Sequence, residues 1–152
     1  MKIFGIILIS LFIFSCESPS GNTVEETSSE NPIVTPVVEK TNPHDLILIA
    51  GEKWVIDEGM RVSIDSIEMR MQAFNGTTME GYELLSEDLA HHTKSVISNC
   101  TMKGQAHDEL HKWLLPFIDL RKELKGITSV EEGEEIATEL NSELIIFNTY
   151  FE

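Results

Sequence analysis

Four side chains that can bind a transition metal lie close together between positions 100 and 111 of the sequence. They are the thiol of Cys100, the thioether of Met102 and the imidazoles of His107 and His111. Thiolate and thioether sulfur favour Cu(I), and imidazole binds copper, zinc and iron. The stretch therefore predicts a transition-metal site. Copper is the first choice, and zinc is the second, with Cys100, His107 and His111 as three of its four ligands.

Two further residues are additional candidate ligands. Met60 is expected at the start of a helix near the same turn, and His92 is expected on an apolar helix face about two turns before Cys100. Haem ranks below both metals. An axial His or Met can hold it, but the sequence lacks a Cys-x-x-Cys-His motif, which excludes covalent attachment. The competing interpretation is structural, with Cys100 as a small buried hydrophobe and Met102 as a packing group.

The elements that must position these residues are helices. Apolar residues recur every three or four positions in four segments, which is typical of amphipathic helices. The four stripes are Ile56, Met60, Ile64, Ile67, Met71 and Phe74; Tyr82, Leu85, Leu89, His92, Val96 and Cys100; Ala106, Leu110, Trp113, Phe117, Leu120 and Leu124; and Ile136, Leu140, Leu144, Phe147 and Phe151. Short connections make neighbouring helices antiparallel. We therefore predict an all-α, up-down-up-down four-helix bundle, with the turn at 101–104, the first helix start and the fourth helix end at one end.

Local signals refine this prediction. Asn75-Gly76 indicates a left-handed cap at the end of the first helix, and Asp57 and Arg61 are spaced to form a surface ion pair. Ser129 and Glu132 indicate a capping box for the fourth helix. The apolar stretch from Leu46 to Ile49 is expected either as an extended lead-in or as an extra turn of the first helix.

The first 16 residues read MKIFGIILISLFIFSC, a positive start followed by an apolar run. The run is too short for a stable transmembrane helix and is typical of a secretory signal. Its ending, Ile13-Phe14-Ser15-Cys16, resembles the lipobox of bacterial lipoproteins. This resemblance implies cleavage after residue 15 and attachment of fatty-acyl chains such as palmitate to Cys16. The alternatives are an ordinary cleaved signal and an uncleaved anchor.

The domain organisation follows from these patterns. Residues 1–15 are predicted as the signal peptide, 16–43 as the lipidated cysteine and a disordered linker rich in Ser, Thr, Glu and Pro, and 44–152 as the bundle. The chain has 26 Asp and Glu against 11 Lys and Arg, a formal net charge of −15. Such an acidic balance argues against nucleic-acid binding, which requires a basic surface. We expect a cell-envelope protein that contacts the membrane through its lipid.

The pattern Cys-x-Met-x-Gly-x-x-His-x-x-x-His-x-Trp-Leu at 100–114, together with Trp54 to Met60, resembles small helical envelope lipoproteins of Bacteroidetes-type bacteria. The resemblance implies location and fold, and no particular chemistry. Two functions stay open, a metal-binding lipoprotein and a non-catalytic module that binds an unknown envelope partner. We do not expect an enzyme, because a Cys100 and His107 nucleophile would lack an evident orienting group.

Overall fold

The computed structural model describes residues 44–152. The predicted signal peptide, the lipidation at Cys16 and the linker lie outside these residues. Four helices form the described part: α1 (Glu58–Ala73), α2 (Met79–Ser98), α3 (Gln105–Lys125) and α4 (Val130–Tyr150). Contacts between helices are mainly between sequential, antiparallel pairs. The predicted all-α four-helix bundle is confirmed.

The core is built from the predicted stripes, because helical periodicity places each stripe on one face. Its largest fully buried side chains are Trp113, Phe117, Phe147, Phe151, Met60, Ile64, Ile67, Leu89, Leu110, Leu124, Leu140 and Val96. Aromatic rings join α3 to α4. The Trp113 ring lies 4.6 Å from the Phe147 ring, and Trp113 Nε1 donates to the Glu143 carbonyl oxygen at 2.8 Å. The buried indole N–H is therefore satisfied, as burial of a donor requires.

Polar contacts fix neighbouring helices against each other. Arg70 of α1 pairs with Asp88 of α2 at 2.9 Å, and the buried Ser86 hydroxyl of α2 donates to the α3 backbone at 2.7 Å. Arg61 lies 3.9 Å from Asp65 and stacks over the Phe147 ring of α4. The predicted pairing of Arg61 with Asp57 was wrong, because Asp57 binds the turn between α2 and α3 instead.

Two helix ends differ from the sequence-based expectation. Ser129 Oγ accepts from the Glu132 N–H as predicted, but the Glu132 carboxylate accepts from the backbone N–H of Thr128 at 2.7 Å. The capping box is therefore shifted by one residue, and these bonds to Thr128 hold the pKa of Glu132 below its usual range. At the end of α1, Gly76 is not left-handed. It is needed because the Phe74 ring lies where a side chain would start.

Residues 44–57 form an extended lead-in, here called the strap, that packs on α3 and α4. Leu46, Trp54 and Ile56 of the strap are buried. Trp54 donates its backbone N–H to the Tyr150 carbonyl at 2.8 Å and accepts from the Glu152 N–H at 2.9 Å. A short parallel pairing therefore joins the strap to the end of α4. This resolves the alternative for Leu46–Ile49 in favour of an extended lead-in.

The end of the bundle where these elements meet is called the pole. It consists of the α1 start, the turn at 99–104, the α3 start and the α4 end. Among residues 44–152, no helix combines the length and the apolar character that crossing a bilayer requires.

The contact between Tyr82 of α2 and Gly133 of α4 tests the packing. A Cβ at Gly133 would lie 2.7–2.8 Å from ring atoms of the buried Tyr82. We expect Gly133→Ala to lower the free energy of unfolding by about 1–3 kcal/mol through overpacking, although alanine favours helix. The measurement is urea unfolding followed by circular dichroism. Gly126→Ala is the matched control, because its Cβ would meet only one backbone oxygen at 3.7 Å. Equal stability of both variants would contradict the packing.

Candidate functional site

The turn from Asn99 to Gly104 carries two of the predicted metal ligands and positions the other two. Gly104 has φ +62°, a conformation that side chains rarely adopt. Its carbonyl oxygen accepts from the backbone N–H groups of His107 and Asp108 at 3.0 and 3.1 Å. The glycine therefore reverses the chain and starts α3 at once, which places His107 in the first helical turn.

Asp57, the residue before α1, holds this turn in place. Its carboxylate accepts from the Thr101 backbone N–H and from the Thr101 hydroxyl, each at 2.7 Å. These bonds lower the pKa of Asp57, with the backbone bond as the larger cause. Gly59 supports the same contact, because a Cβ there would lie 3.0–3.1 Å from the Asn99 side chain. The start of α1 and the α2–α3 turn are thereby joined.

The two predicted sulfur ligands flank Thr101, the residue that the Asp57 carboxylate binds. Cys100 is a free thiol that is partly buried against the core, and Met102 is partly buried against the same core. The structure therefore gives both side chains a packing role. The two hydrogen bonds from Thr101 to Asp57 are here called the Asp57 clamp. Because Cys100 and Met102 adjoin Thr101, the clamp restricts the backbone of both.

The two imidazoles lie next to each other on α3. Their ring centroids are 4.4 Å apart with planes at 59°. His107 is half-buried and His111 is exposed. Residues four apart occupy the same face of a helix, so the first two turns of α3 bring these rings together without help from the rest of the bundle. The pair lies at the surface, where an ion can reach it.

Of the two additional candidates, Met60 lies at the start of α1, and His92 lies within α2. Met60 is fully buried in the core, where its thioether serves packing. His92 lies mid-way along α2, with Nε2 3.8 Å from an Asp88 carboxylate oxygen and its ring 5.3 Å from that of His91. Asp88 also binds Arg70 of α1, so His92 belongs to a surface cluster between α1 and α2.

The geometry limits what the predicted site can bind. Across residues 44–152, no three side chains of His, Cys, Asp or Glu are placed to hold one metal ion together. The zinc ligand set of Cys100, His107 and His111 is therefore not assembled. What the structure brings together from the predicted ligands is the pair of imidazoles of His107 and His111.

The sequence did not lead us to predict two buried glutamates. Glu109 lies on the side of α3 opposite to His107 and His111, and Glu143 lies on α4. Glu109 is 3% exposed, and its carboxylate accepts from the Ile47 N–H at 3.0 Å and from Lys112 Nζ at 2.8 Å. Glu143 is 7% exposed, and its two oxygens lie 2.8 and 2.9 Å from His44 Nε2. Both carboxylates thus bind groups of the strap, and Glu109 also binds Lys112 of α3.

The helical spacing of the sequence indicates that these two glutamates are buried. Glu109 precedes Trp113 by four positions, and Glu143 precedes Phe147 by four, so each shares a face with a core aromatic residue. A charge on a buried stripe implies a partner, because an unpaired buried charge is strongly unfavourable. The partners come from the strap, whose course the sequence leaves open.

Comparison with protein-family models, with curated proteins and with solved structures finds no significant match.

The Asp57 clamp predicts a specific pH dependence of stability. Because the folded-state pKa of Asp57 is lowered, its contribution is fully present above the ordinary carboxyl pKa of about 3.9. It is lost as the pH falls through the lowered value. We expect Asp57→Asn to be less stable than the unchanged chain at pH 7, and this difference to shrink below about pH 4.

Urea midpoints from pH 7 down to the start of acid unfolding measure this difference. Asp65→Asn is the control, since Asp65 is exposed and lies 3.9 Å from its arginine partner. A stability difference for Asp57→Asn that stays constant over the whole range would show that the carboxylate charge does not contribute.

Proposed function

We propose that the chain is a lipid-anchored cell-envelope protein whose bundle binds copper at the pole. The observation that carries the copper assignment is the His107–His111 pair, with ring centroids 4.4 Å apart on the first turns of α3. The anchor rests on the Cys16 lipobox, and the resemblance to Bacteroidetes-type envelope lipoproteins agrees with this location. The proposed partners are the membrane and a metal ion.

The ligand set favours copper over zinc and haem. Structural zinc is almost always four-coordinate, and the two imidazoles leave it short of protein ligands. Copper accepts imidazole, and Cu(I) also favours the soft sulfur of Met102 and Cys100, which flank the clamped Thr101. Haem would need space between helices, but the core beneath the pole is filled by Trp113, Phe147 and Phe151. Copper is therefore the first candidate, zinc the second and haem the third.

A non-catalytic interaction module without a cofactor is the second candidate function. Large apolar side chains are exposed on α1 and α4, where Val62, Met69 and Ile145 are each at least 60% exposed. Such side chains suit a helical face that recognises an envelope partner. Crosslinking in whole membranes, followed by purification through the bundle, tests this candidate. Absence of any enriched protein would count against it.

Copper binding is measured by titration of the mature chain from residue 16. Cys16→Ser is included so that its thiol does not contribute. We expect Cu(I) to be captured from a chromophoric chelator with a Kd tighter than micromolar. His107→Ala or His111→Ala should weaken binding by roughly 100-fold or more, since loss of even an outer-shell partner costs roughly 10–100-fold.

His91→Ala is the matched control, because His91 is an exposed imidazole on α2 outside the turn. Met102→Leu and Cys100→Ser then show whether either sulfur joins the chelate. No binding tighter than micromolar, or equal effects of the His91 and His107 substitutions, would remove the copper proposal.

The anchor is tested by a separate substitution. Cys16→Ser should abolish incorporation of labelled fatty acid and release the protein from the membrane fraction, because two or more acyl chains are needed for a stable anchor. Cys100→Ser is the control and should leave both properties unchanged. Membrane retention of Cys16→Ser would indicate an uncleaved hydrophobic anchor.

A further inference from the structure

The strap presents a run of exposed branched apolar residues at the pole. Ile47 is 48% exposed, Leu48 is 37% exposed and Ile49 is 49% exposed. Val55, between the buried Trp54 and Ile56, is 72% exposed. Single exposed apolar residues are ordinary on a surface, but several of them on one short segment are able to form a binding surface.

The backbone of this run is held firmly, so its exposure is a feature of the folded protein. The Ile47 N–H donates to the buried Glu109 carboxylate, and the Ile47 carbonyl accepts from Trp54 Nε1 at 2.7 Å. Ile49 and Glu52 exchange two backbone bonds of 3.0 Å across a turn in which Ala50 and Gly51 have positive φ. Leu46, directly before the run, is buried.

The position of the strap in the sequence, next to the segment that leads to the proposed anchor, favours the bilayer as the partner of this surface. The strap is where the chain from the proposed anchor at Cys16 joins the bundle, and about 27 residues separate the two. The strap is therefore the part of the bundle nearest in sequence to the proposed anchor, and tethering raises the effective concentration of a weak contact.

From these observations we infer that the strap surface, Ile47–Leu48–Ile49 with Val55, docks on the bilayer interface and sets the pole toward the membrane. This inference rests on the anchored state proposed above. Apolar contact drives the docking, because a chain of net charge −15 gains nothing from anionic lipid. His107 and His111 lie on the flank of α3 away from Glu109, so docking through the strap leaves the copper chelate uncovered.

Depth-dependent fluorescence quenching tests the inference without relying on natural acylation. The mature chain, carrying Cys100→Ser, is coupled through the Cys16 thiol to maleimide-bearing lipid in phosphatidylcholine vesicles. A fluorescent amino acid is placed at position 52, in the strap turn, or at position 75, in the α1–α2 turn at the opposite end of the bundle. Nitroxide-bearing lipids then quench whichever probe lies near the acyl chains.

We expect the probe at position 52 to be quenched at least threefold more than the probe at 75. The triple variant Ile47→Ser, Leu48→Ser and Ile49→Ser should remove most of this difference and leave only what the tether alone produces. It keeps the inward contacts of the strap, and circular dichroism checks its fold. The matched control replaces three exposed apolar residues elsewhere, Leu84→Ser, Ile97→Ser and Ile145→Ser, and should retain the difference. Adding anionic phosphatidylglycerol should not increase it.

Three results would overturn the inference. The first is equal quenching of the two probes in the unchanged chain. The second is a difference that the triple variant leaves undiminished. The third is a concentration-dependent dimer in sedimentation that the triple variant abolishes, which would make the surface a contact between two copies. Failure of natural acylation would show in the fatty-acid labelling of Cys16 and would leave this experiment unaffected.

Discussion

The two bonds between the Asp57 carboxylate and Thr101 fix the turn that carries Cys100 and Met102 and that starts α3. They join the start of α1 to the turn between α2 and α3, each at 2.7 Å. The pairing of Trp54 with Tyr150 and Glu152 joins the strap to the end of α4 beside them. The pole is thus tied by two long-range contacts, in addition to helix packing. These contacts fix the positions of Cys100, Met102 and the start of α3.

Burial of charge is the second constraint, and it makes the strap part of the fold. Glu109 and Glu143 lie among core residues and are satisfied largely by groups of the strap, the Ile47 N–H and His44. Removing one partner of a buried charge is strongly destabilising. The strap is therefore held by two carboxylates and by burial of Leu46, Trp54 and Ile56. The exposed apolar residues of the strap are therefore held in place by the fold.

The parts predicted from the sequence are those set by local periodicity. The four helices, their order and the Ser129 cap follow from spacing and from residue chemistry, and so does the proximity of His107 and His111 on one helix face. The partner of Asp57 could not be predicted, because it lies 44 positions away in the chain and only tertiary packing decides it. The same holds for the buried glutamates. Whether Cys100 joins the imidazoles depends on the turn conformation, which spacing alone leaves open.

We propose a lipid-anchored envelope protein in which the His107–His111 pair at the pole binds copper. Elemental analysis of the protein purified from its own envelope tests this claim most directly. The account predicts close to one copper per chain, falling to background when His107→Ala and His111→Ala are combined. A chain that carries no transition metal, or whose metal content is unchanged in that double variant, would contradict it.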